Sequence, residues 1–149
     1  MIGLLVITHG QLAKELLKAA EFIVGAIETV EYVAIDASKD SKKLRDIIQK
    51  KMKASDQGQG VLVLTDMFGG TPSNLALSFL RKDSIEVVTG TNLPMVIAVA
   101  HSREGQTLRE VADMAKTAGR RSISLASELL KPTQNKSTPK GRGFDETPQ

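Results

Sequence analysis

The amino-acid sequence predicts an α/β fold: a doubly wound, mainly parallel sheet with helices on both of its faces. Short apolar runs alternate with stretches of helical apolar spacing along most of the 149 residues. The first run, residues 2–7, is almost wholly apolar, which is typical of a parallel strand buried on both faces. The chain is 41% hydrophobic but only 3% aromatic, so its core must be aliphatic, which suits helices packed on such a sheet.

The first half of the chain contains two predicted strand and helix pairs. The strand at residues 2–7 precedes a helix that starts near Gln11 and ends at Gly25, a residue that favours helix termination. The predicted inward stripe of this helix comprises Leu12, Leu16, Ala20 and Ile23, with Ala13 and Leu17 beside it. A strand at residues 30–35 leads into a lysine-rich helix that ends before Gly58 and Gly60. This second helix is expected to bury Leu44, Ile47, Ile48 and Met52.

The second half continues the alternation. A strand at residues 61–65 precedes a helix that Thr71 caps and Pro72 begins. Its apolar side chains are predicted to face inward, namely Leu75, Phe79 and Leu80. A strand at residues 85–88 then precedes a short apolar helix that extends to about Ala100.

A last helix begins at Thr107, where Glu110 completes a capping box, and is expected to stop at Gly119. Its inward residues are Leu108, Val111, Ala112 and Ala115. Residues 121–126 alternate like an edge strand, which folded proteins usually cover, so we expect it to pair across a twofold axis in a homodimer. Residues 1–130 therefore form the predicted domain, and residues 131–149, with three of the five prolines, the predicted disordered tail.

Composition excludes several classes of function. The chain has no Cys, so disulfides, thiolate metal sites and Cys nucleophiles are absent. Residues 1–130 contain 16 basic and 15 acidic residues, so this part of the chain is nearly neutral and lacks the basic surface typical of nucleic-acid binding. No apolar run is long enough to span a bilayer, and the first residues lack the charged start of a signal peptide. The expected location is the cytoplasm.

Polar residues follow three of the predicted strands. His9 comes after the first strand, Asp66 after the third and Asn92 after the fourth. In open parallel sheets, ligands bind beyond the carboxyl ends of the strands, so this edge is the predicted site. A neutral imidazole whose one nitrogen donates to a carboxylate can attack a phosphorus centre with its other nitrogen. The sequence thus predicts His9 as a nucleophile that Asp66 orients.

The residues after Asp66 could hold the incoming phosphoryl group. Gly69 and Gly70 leave the backbone unobstructed, while the start of the helix at Thr71 and Ser73 offers N–H groups, hydroxyls and a positive dipole end. No phosphate-binding loop of a nucleotide hydrolase, dinucleotide fingerprint or zinc motif is present, so no cofactor or metal is expected. The phosphoryl donor is then another protein.

Structural interpretations of the same residues remain open at this stage. A histidine after a strand is often only a loop residue, an Asp at a strand end can form a turn, and two glycines can be a plain connection. Asn92 also fits a turn. His101 follows an apolar helix, where an imidazole interacts well with the negative dipole end, and we interpret it as structural.

Three segments carry a resemblance to a known family. They are residues 8–10 (THG), 66–74 (DMFGGTPSN) and 90–95 (GTNLPM), each directly after a predicted strand. They closely resemble the mannose-type enzyme IIA family of the bacterial phosphoenolpyruvate-dependent sugar phosphotransferase system (PTS). The resemblance covers residues 1 to about 130, and the nine-residue segment is the most specific part of it.

The resemblance implies roles for these residues and for partners. His9 would be phosphorylated by the phosphocarrier HPr and would pass the group to a IIB component, which feeds a membrane sugar permease. Asp66 would orient the histidine, Thr71 would lie near the phosphate, and Asn92, Pro94 and Met95 would line the rim. Family members are homodimers that exchange a C-terminal edge strand, which residues 121–126 match. Unlike fused IIA–IIB members, this chain is expected to use a separate IIB polypeptide.

Other functions stay open. The phosphocarrier of dihydroxyacetone kinases is similar in fold and in the place of its histidine, although the glycine-containing segment favours the mannose type. A receiver-like domain would use Asp66 as its phosphorylated residue, but it needs acidic residues for Mg²⁺ after the first strand, where Thr8-His9-Gly10 provides none. A regulatory relative that is phosphorylated on His9 but serves no permease would share the same chemistry.

Overall fold

A computed structural model describes residues 1–132, which contain four strands and six helices. In chain order, the elements are β1 (Gly3–His9), α1 (Leu12–Val24), β2 (Val30–Ile35), α2 (Ser41–Ser55), β3 (Val61–Thr65), α3 (Thr71–Leu77), β4 (Ile85–Thr89), α4 (Leu93–Ala100), α5 (Leu108–Arg121) and α6 (Ala126–Leu129). All four strands are parallel, in the order β2-β1-β3-β4. The predicted α/β fold is confirmed. Nearly all of the predicted tail, residues 131–149, lies outside the described residues.

The sheet has a hydrophobic core on each face. On one face, α1, α4 and α5 pack over Leu4, Val6, Leu62 and Leu64, and on the other, α2 and α3 pack over Leu5, Ile7 and Val63. The chain winds from β1 outward to β2 and then returns to place β3 on the other side of β1. This reversal leaves a crevice between β1 and β3 at the carboxyl edge of the sheet, which is where such folds bind ligands.

Several predicted helix signals are confirmed. Gly25 follows α1 with a φ of 87°, a backbone conformation that favours glycine. Thr107 and Glu110 form the predicted capping box, in which each residue's backbone N–H donates to the other's side chain, at 2.8 and 3.2 Å. The predicted stripe of α2 is also correct, since Leu44, Ile48 and Met52 are buried and Ile47 is partly buried.

The inward faces of α1 and α3 differ from the prediction. The buried residues of α1 are Ala13, Leu17 and Ala20, whereas Leu12 and Ile23 are about half exposed. Two neighbouring apolar stripes were available in this helix, and the one with small alanines fits against the sheet. Gly70, not Thr71, is the N-cap of α3, and no side chain caps this helix. The helix ends at Leu77, so Leu80 lies beyond it and is exposed.

The C-terminal part of the described chain corrects two predictions. The helix α5 does not stop at Gly119 but continues to Arg121, and Gly119 is buried inside it. A Cβ at this position would lie 2.6 Å from the Met95 side chain, so glycine is required for packing and not for termination. The predicted strand at residues 121–126 is wrong for the single chain: α5 and α6 occupy its two ends, and residues 123–125 between them pair with no strand among residues 1–132.

A buried arginine fastens the edge of the sheet opposite to the carboxyl ends of the strands. Arg103 is 1% exposed, and its guanidinium donates to backbone carbonyls of Ile2, Glu28 and Thr29, at 2.6 to 3.4 Å. It also donates to the carbonyls of Val99 and Ala100 at the end of α4. One side chain thus joins the entry to β1, the entry to β2 and a helix end, a role that the sequence analysis did not anticipate.

We expect Arg103→Met to lower the free energy of unfolding by about 3 kcal/mol or more. The apolar replacement retains much of the stem but leaves several buried carbonyls without donors, and each such group costs about 1–3 kcal/mol. Arg109→Met is the matched control, because Arg109 is an exposed partner of Asp113 on the surface of α5 and should change stability little. Urea denaturation of both variants tests this, and equal midpoints for the two would contradict it.

Within residues 1–132, none of the helices has the length and apolar character that a membrane crossing requires.

Candidate functional site

Four loops lie at the carboxyl edge of the sheet, and three of them contain a glycine in a left-handed conformation. Gly10 follows β1 with a φ of 54°, Gly69 lies after β3 with a φ of 97°, and Gly90 follows β4 with a φ of 80°. These residues let the chain turn sharply directly after each strand. As a result, the last residue of β1, His9, and the first residue after β3, Asp66, lie on adjacent strands at the crevice.

His9 and Asp66 are in direct contact. The imidazole Nδ1 lies 2.8 Å from Asp66 Oδ2, and the backbone N–H of His9 donates to the same oxygen at 2.9 Å. Because an ionised carboxylate only accepts hydrogen bonds, Nδ1 must carry a proton, and in the neutral imidazole Nε2 then keeps its lone pair. The side chain of His9 is 51% exposed and that of Asp66 only 12%, so the imidazole is open to solvent while the carboxylate is enclosed.

The carboxyl group of Asp66 is held in its ionised form. Burial raises its pKa, but the hydrogen bonds from the His9 backbone and imidazole, together with one from the Met67 backbone at 3.0 Å, outweigh burial. The net result is a pKa below the ordinary value of 3.8. Asp66 is therefore a fixed negative charge beside the imidazole throughout the neutral range.

Two contacts that the sequence did not predict hold the loop around His9 in place. The buried hydroxyl of Thr8 accepts a hydrogen bond from the Ala13 backbone at 2.7 Å, which ties the start of α1 to β1. The Gly10 backbone N–H donates to the carbonyl of Ile35 at 2.9 Å. A threonine just before the candidate nucleophile was a usable signal, because hydroxyls at strand ends often cap the following helix.

Gly70 borders the imidazole. A Cβ on this residue would lie 2.8 Å from Cε1 and 3.1 Å from Nε2 of His9, closer than carbon atoms approach in folded proteins. Since its φ of −95° is ordinary, Gly70 is needed here for space and not for backbone conformation. The backbone of residues 69–71 thus lies beside Nε2, where a group bound to that atom would be found.

The two hydroxyl residues of this loop are placed differently. Thr71 is exposed at the first position of α3. Ser73 is fully buried, and its Oγ accepts from the Gly69 backbone at 3.3 Å. The Ser73 hydroxyl therefore stabilises the turn at Gly69 from within the protein and is not exposed at the surface.

The predicted rim residues fall into two groups. Pro94 is exposed at the start of α4, whereas Met95 is only 3% exposed and packs in the core against Gly119. Asn92 caps α4, because its Oδ1 accepts from the Met95 backbone at 3.0 Å. Its Nδ2 donates to the carbonyl of Gly119 at 3.1 Å, which uses both ends of the amide for structure.

His101 does not belong to this site. It follows α4 at the opposite edge of the sheet, where its Nε2 donates to the carbonyl of Val24 at 3.0 Å. This contact joins the ends of α1 and α4 and agrees with the structural role inferred from the sequence.

Exposed apolar side chains flank His9 in the loops that carry it and Asp66. Leu12 is 46% exposed, Met67 53% and Phe68 71%. Apart from His9 and Asp66 themselves, residues 8–13 and 66–80 carry no ionisable side chain. A half-exposed imidazole surrounded by an otherwise uncharged, partly apolar surface is accessible to a group that another macromolecule presents.

Comparisons with known proteins identify a family to which the chain is similar. The family model described as PTS system fructose IIA component matches residues 3–116. The mannose-specific EIIAB component of the PTS from Escherichia coli (strain K12) is 30% identical over 124 residues. That alignment covers 82% of this chain but only 38% of the relative. The fructose-specific EIIA component of Bacillus subtilis (strain 168) is 28% identical over 131 residues, which cover 87% of this chain and 90% of the relative.

Solved structures give the same result. The PTS component EIIA from Streptococcus agalactiae has a TM-score of 0.76 and 30% identity, over 86% of this chain and 99% of its own. The mannose/sorbose-specific IIA subunit from Enterococcus faecalis has a TM-score of 0.75 and 26% identity, over 83% of this chain and 93% of its own.

Proposed function

The chain belongs to the mannose-type enzyme IIA family of the PTS, and from this premise we propose that it is a phosphocarrier that receives a phosphoryl group on His9 and passes it on. A sugar phosphotransfer role is common to that family. The observation that carries the assignment to His9 is its 2.8 Å contact with Asp66, which leaves Nε2 of the neutral imidazole unprotonated on a side chain that is 51% exposed. The donor in this proposal is phospho-HPr, and the acceptor is a separate IIB component.

The transfer is a displacement at phosphorus between two nitrogen atoms. The lone pair of His9 Nε2 forms the new N–P bond while the N–P bond to the donor histidine breaks, and its electron pair returns to the donor ring. No proton has to move, because the proton on Nδ1 stays in its hydrogen bond to Asp66. Positive charge that develops on the His9 ring lies beside a carboxylate of lowered pKa. The second transfer, to IIB, is the same step in reverse.

The loop beside Nε2 provides the surroundings for the phosphoryl oxygens. Gly70 borders the imidazole, so the N–H groups of Gly70 and Thr71 are the proposed donors, whereas the N–H of Gly69 already donates to Ser73. Thr71, which is exposed at the start of α3, adds a hydroxyl. Ser73 contributes indirectly in this proposal, by fixing Gly69 through its buried hydroxyl.

The experiment that tests the function follows labelled phosphate through the relay. With labelled phosphoenolpyruvate, enzyme I and HPr, the chain should become labelled, and omission of HPr should prevent labelling. Addition of a cognate IIB component should then discharge the chain. A chain that stays unlabelled with the complete donor system, while a known IIA component is labelled in the same mixture, would contradict the proposal.

The same assay tests how the donor docks. Phe68→Ala should slow transfer from phospho-HPr about tenfold or more, since truncation of a central interface aromatic commonly costs over 1 kcal/mol. Phe22→Ala is the matched control: Phe22 is 92% exposed near the C-terminal end of α1, at the edge of the sheet opposite to His9. If both variants accept phosphate equally fast, the surface around His9 is not where the donor binds.

We also propose a homodimer in which residues 121–126 of one copy pair with the other. In the single described chain, β4 is an edge strand and borders a groove of about 450 Å³ that Met95 and Ile123 also line. Beyond α5, four large apolar side chains are mostly exposed, namely Ile123, Leu125, Leu129 and Leu130. Exposed apolar residues next to an open edge are the arrangement that chain exchange would bury.

Truncation tests the dimer. A chain ending at Leu130 should keep the dimer mass in light scattering, whereas a chain ending at Ser122, which leaves α5 intact, should be monomeric or aggregate. A monodisperse monomer for the full chain at micromolar concentration would refute the exchange.

We further propose that the protein acts in the cytoplasm and meets the membrane only through a permease complex.

A further inference from the structure

One carbonyl group at the site receives two hydrogen bonds from the same residue. Thr65, the last residue of β3, accepts from the Thr91 backbone N–H at 3.0 Å and from the Thr91 hydroxyl at 2.7 Å. The first bond joins the ends of β3 and β4 just beyond their last register pair, Thr65 and Thr89. The second exists because the chain turns at Gly90, with a φ of 80°, so that the Thr91 side chain also reaches the strand end.

The position of that carbonyl determines the position of Asp66. The C–O group of Thr65 and the N and Cα atoms of Asp66 belong to a single planar peptide unit. Two donors from different directions fix the orientation of this plane, and with it the direction in which the Asp66 side chain leaves the backbone. That side chain must place Oδ2 within hydrogen-bonding distance of both the backbone N–H and the imidazole of His9.

The Thr65 side chain provides no comparable polar anchor. It is fully buried, and its Oγ1 has no hydrogen-bond partner within residues 1–132. The carbonyl is therefore the polar group through which the end of β3 is held.

Thr91 itself is rigidly supported from its C-terminal side. The next residue, Asn92, accepts from the Met95 backbone and donates to the carbonyl of Gly119, which fixes the turn to the start of α4 and the end of α5. The hydroxyl of Thr91 thus connects the Asp66 peptide to two packed helices.

From these contacts we infer that Thr91 is a positioning residue for Asp66, and that its hydroxyl aims the carboxylate at the His9 imidazole by holding the Thr65–Asp66 peptide plane. The inference rests on the proposed phosphoryl transfer through His9. The inference adds to that function a residue that does not contact the histidine: Thr91 affects His9 only by positioning Asp66.

Three variants separate the hydroxyl from the rest of the residue. Thr91→Val keeps the shape and the backbone N–H bond but loses the hydroxyl, Thr91→Ala loses hydroxyl and methyl group together, and Thr91→Ser restores the hydroxyl. We expect both hydroxyl-free variants to accept phosphate from phospho-HPr about tenfold more slowly, since a displacement of 1 Å at a reacting group can cost about a hundredfold. Thr91→Ser should recover most of the wild-type rate.

The second readout requires no phosphorylation. The ¹⁵N chemical shifts of the His9 ring report which nitrogen carries the proton, and in the wild type the Nδ1–H form should predominate because Asp66 accepts from Nδ1. In Thr91→Val and Thr91→Ala, the share of this tautomer should fall. Ser55→Ala is the control: Ser55 is fully buried, and its hydroxyl donates to the carbonyl of Met52 at 3.0 Å, at the end of α2 away from the site.

Four results would overturn the inference. They are wild-type tautomer and transfer rate in Thr91→Val, the same losses in Ser55→Ala, no rescue by Thr91→Ser, and a Thr91→Val chain that does not fold, since Thr91 would then be a structural residue. Failure of the proposed function looks different. In that case the wild-type chain accepts no phosphate, while the tautomer of His9 still responds to the Thr91 variants as described.

Discussion

His9→Ala should abolish phosphorylation of the chain altogether. The variant removes the Nε2 atom to which the phosphoryl group would bond, and the chain has no Cys that could replace it as a nucleophile. In the wild type, label supplied through enzyme I and HPr should be acid-labile and base-stable, as a phosphoramidate bond is. Intact-mass measurement should show one added phosphate on the wild-type chain and none on His9→Ala.

His101→Ala is the matched control for this experiment. Its imidazole contacts the carbonyl of Val24 at the edge of the sheet opposite to His9, so its loss should leave labelling at the wild-type level. Label that persists in His9→Ala would refute the assignment. Label that depends on Mg²⁺ and disappears only in Asp66→Ala would instead indicate receiver chemistry, with the carboxylate as the phosphorylated group.

The juxtaposition of His9 and Asp66 could be predicted because it depends on few facts about the fold. Parallel strands bring their carboxyl ends to one edge, so any two residues that follow adjacent strands must be near each other. The sequence does not reveal the strand order, however. The contact forms because β3 returns to the side of β1 that β2 leaves free, a result of how both cores close over the sheet.

The features that sequence reasoning missed depend on contacts between distant segments. Gly119 has the usual character of a helix stop, but in α5 it allows close packing with Met95, whose position no local pattern reveals. The cost of glycine inside a helix, about 1 kcal/mol, is small enough for tertiary packing to offset. Arg103 is similar, because its acceptors are backbone carbonyls from three separate parts of the chain.

The alternating pattern of residues 121–126 shows a different limit. Alternation predicts a strand only where a neighbouring strand accepts its hydrogen bonds, and in the single chain α5 extends into this segment to Arg121. Asn92 and Met95 show a related limit of prediction from sequence. Both fall in a segment that resembles a family motif, yet the structure uses Asn92 as a helix cap and Met95 as a core residue. A motif can thus preserve the scaffold of a site as well as its surface.

Asp66→Ala should fold but transfer phosphate about 10² to 10⁴ times more slowly than the wild type, the range typical of lost acid–base and orienting groups. The nucleophile remains, but the imidazole is no longer held in the tautomer that leaves Nε2 free, and the charge that develops on the ring is no longer stabilised. Stopped-flow measurement of transfer from phospho-HPr gives the rate, and circular dichroism establishes that the variant is folded.

Asp66→Asn separates the two contributions of the carboxylate. An amide oxygen can still accept from Nδ1 and hold the tautomer, but it carries no charge. Asp66→Asn should therefore be intermediate in rate between Asp66→Ala and the wild type if both contributions count.

The dependence on pH gives an independent check of the charge on Asp66. Because hydrogen bonds hold the pKa of Asp66 below 3.8, the carboxylate stays ionised as pH falls from 8 to 5, and no loss of rate in that interval should come from its protonation. The ¹³C chemical shift of the Asp66 carboxyl group should therefore stay constant over this interval. A wild-type rate in Asp66→Ala would remove Asp66 from the mechanism, and a carboxyl ¹³C shift that changes between pH 8 and 5 would show that the carboxylate titrates in the neutral range, contrary to its hydrogen-bonded geometry.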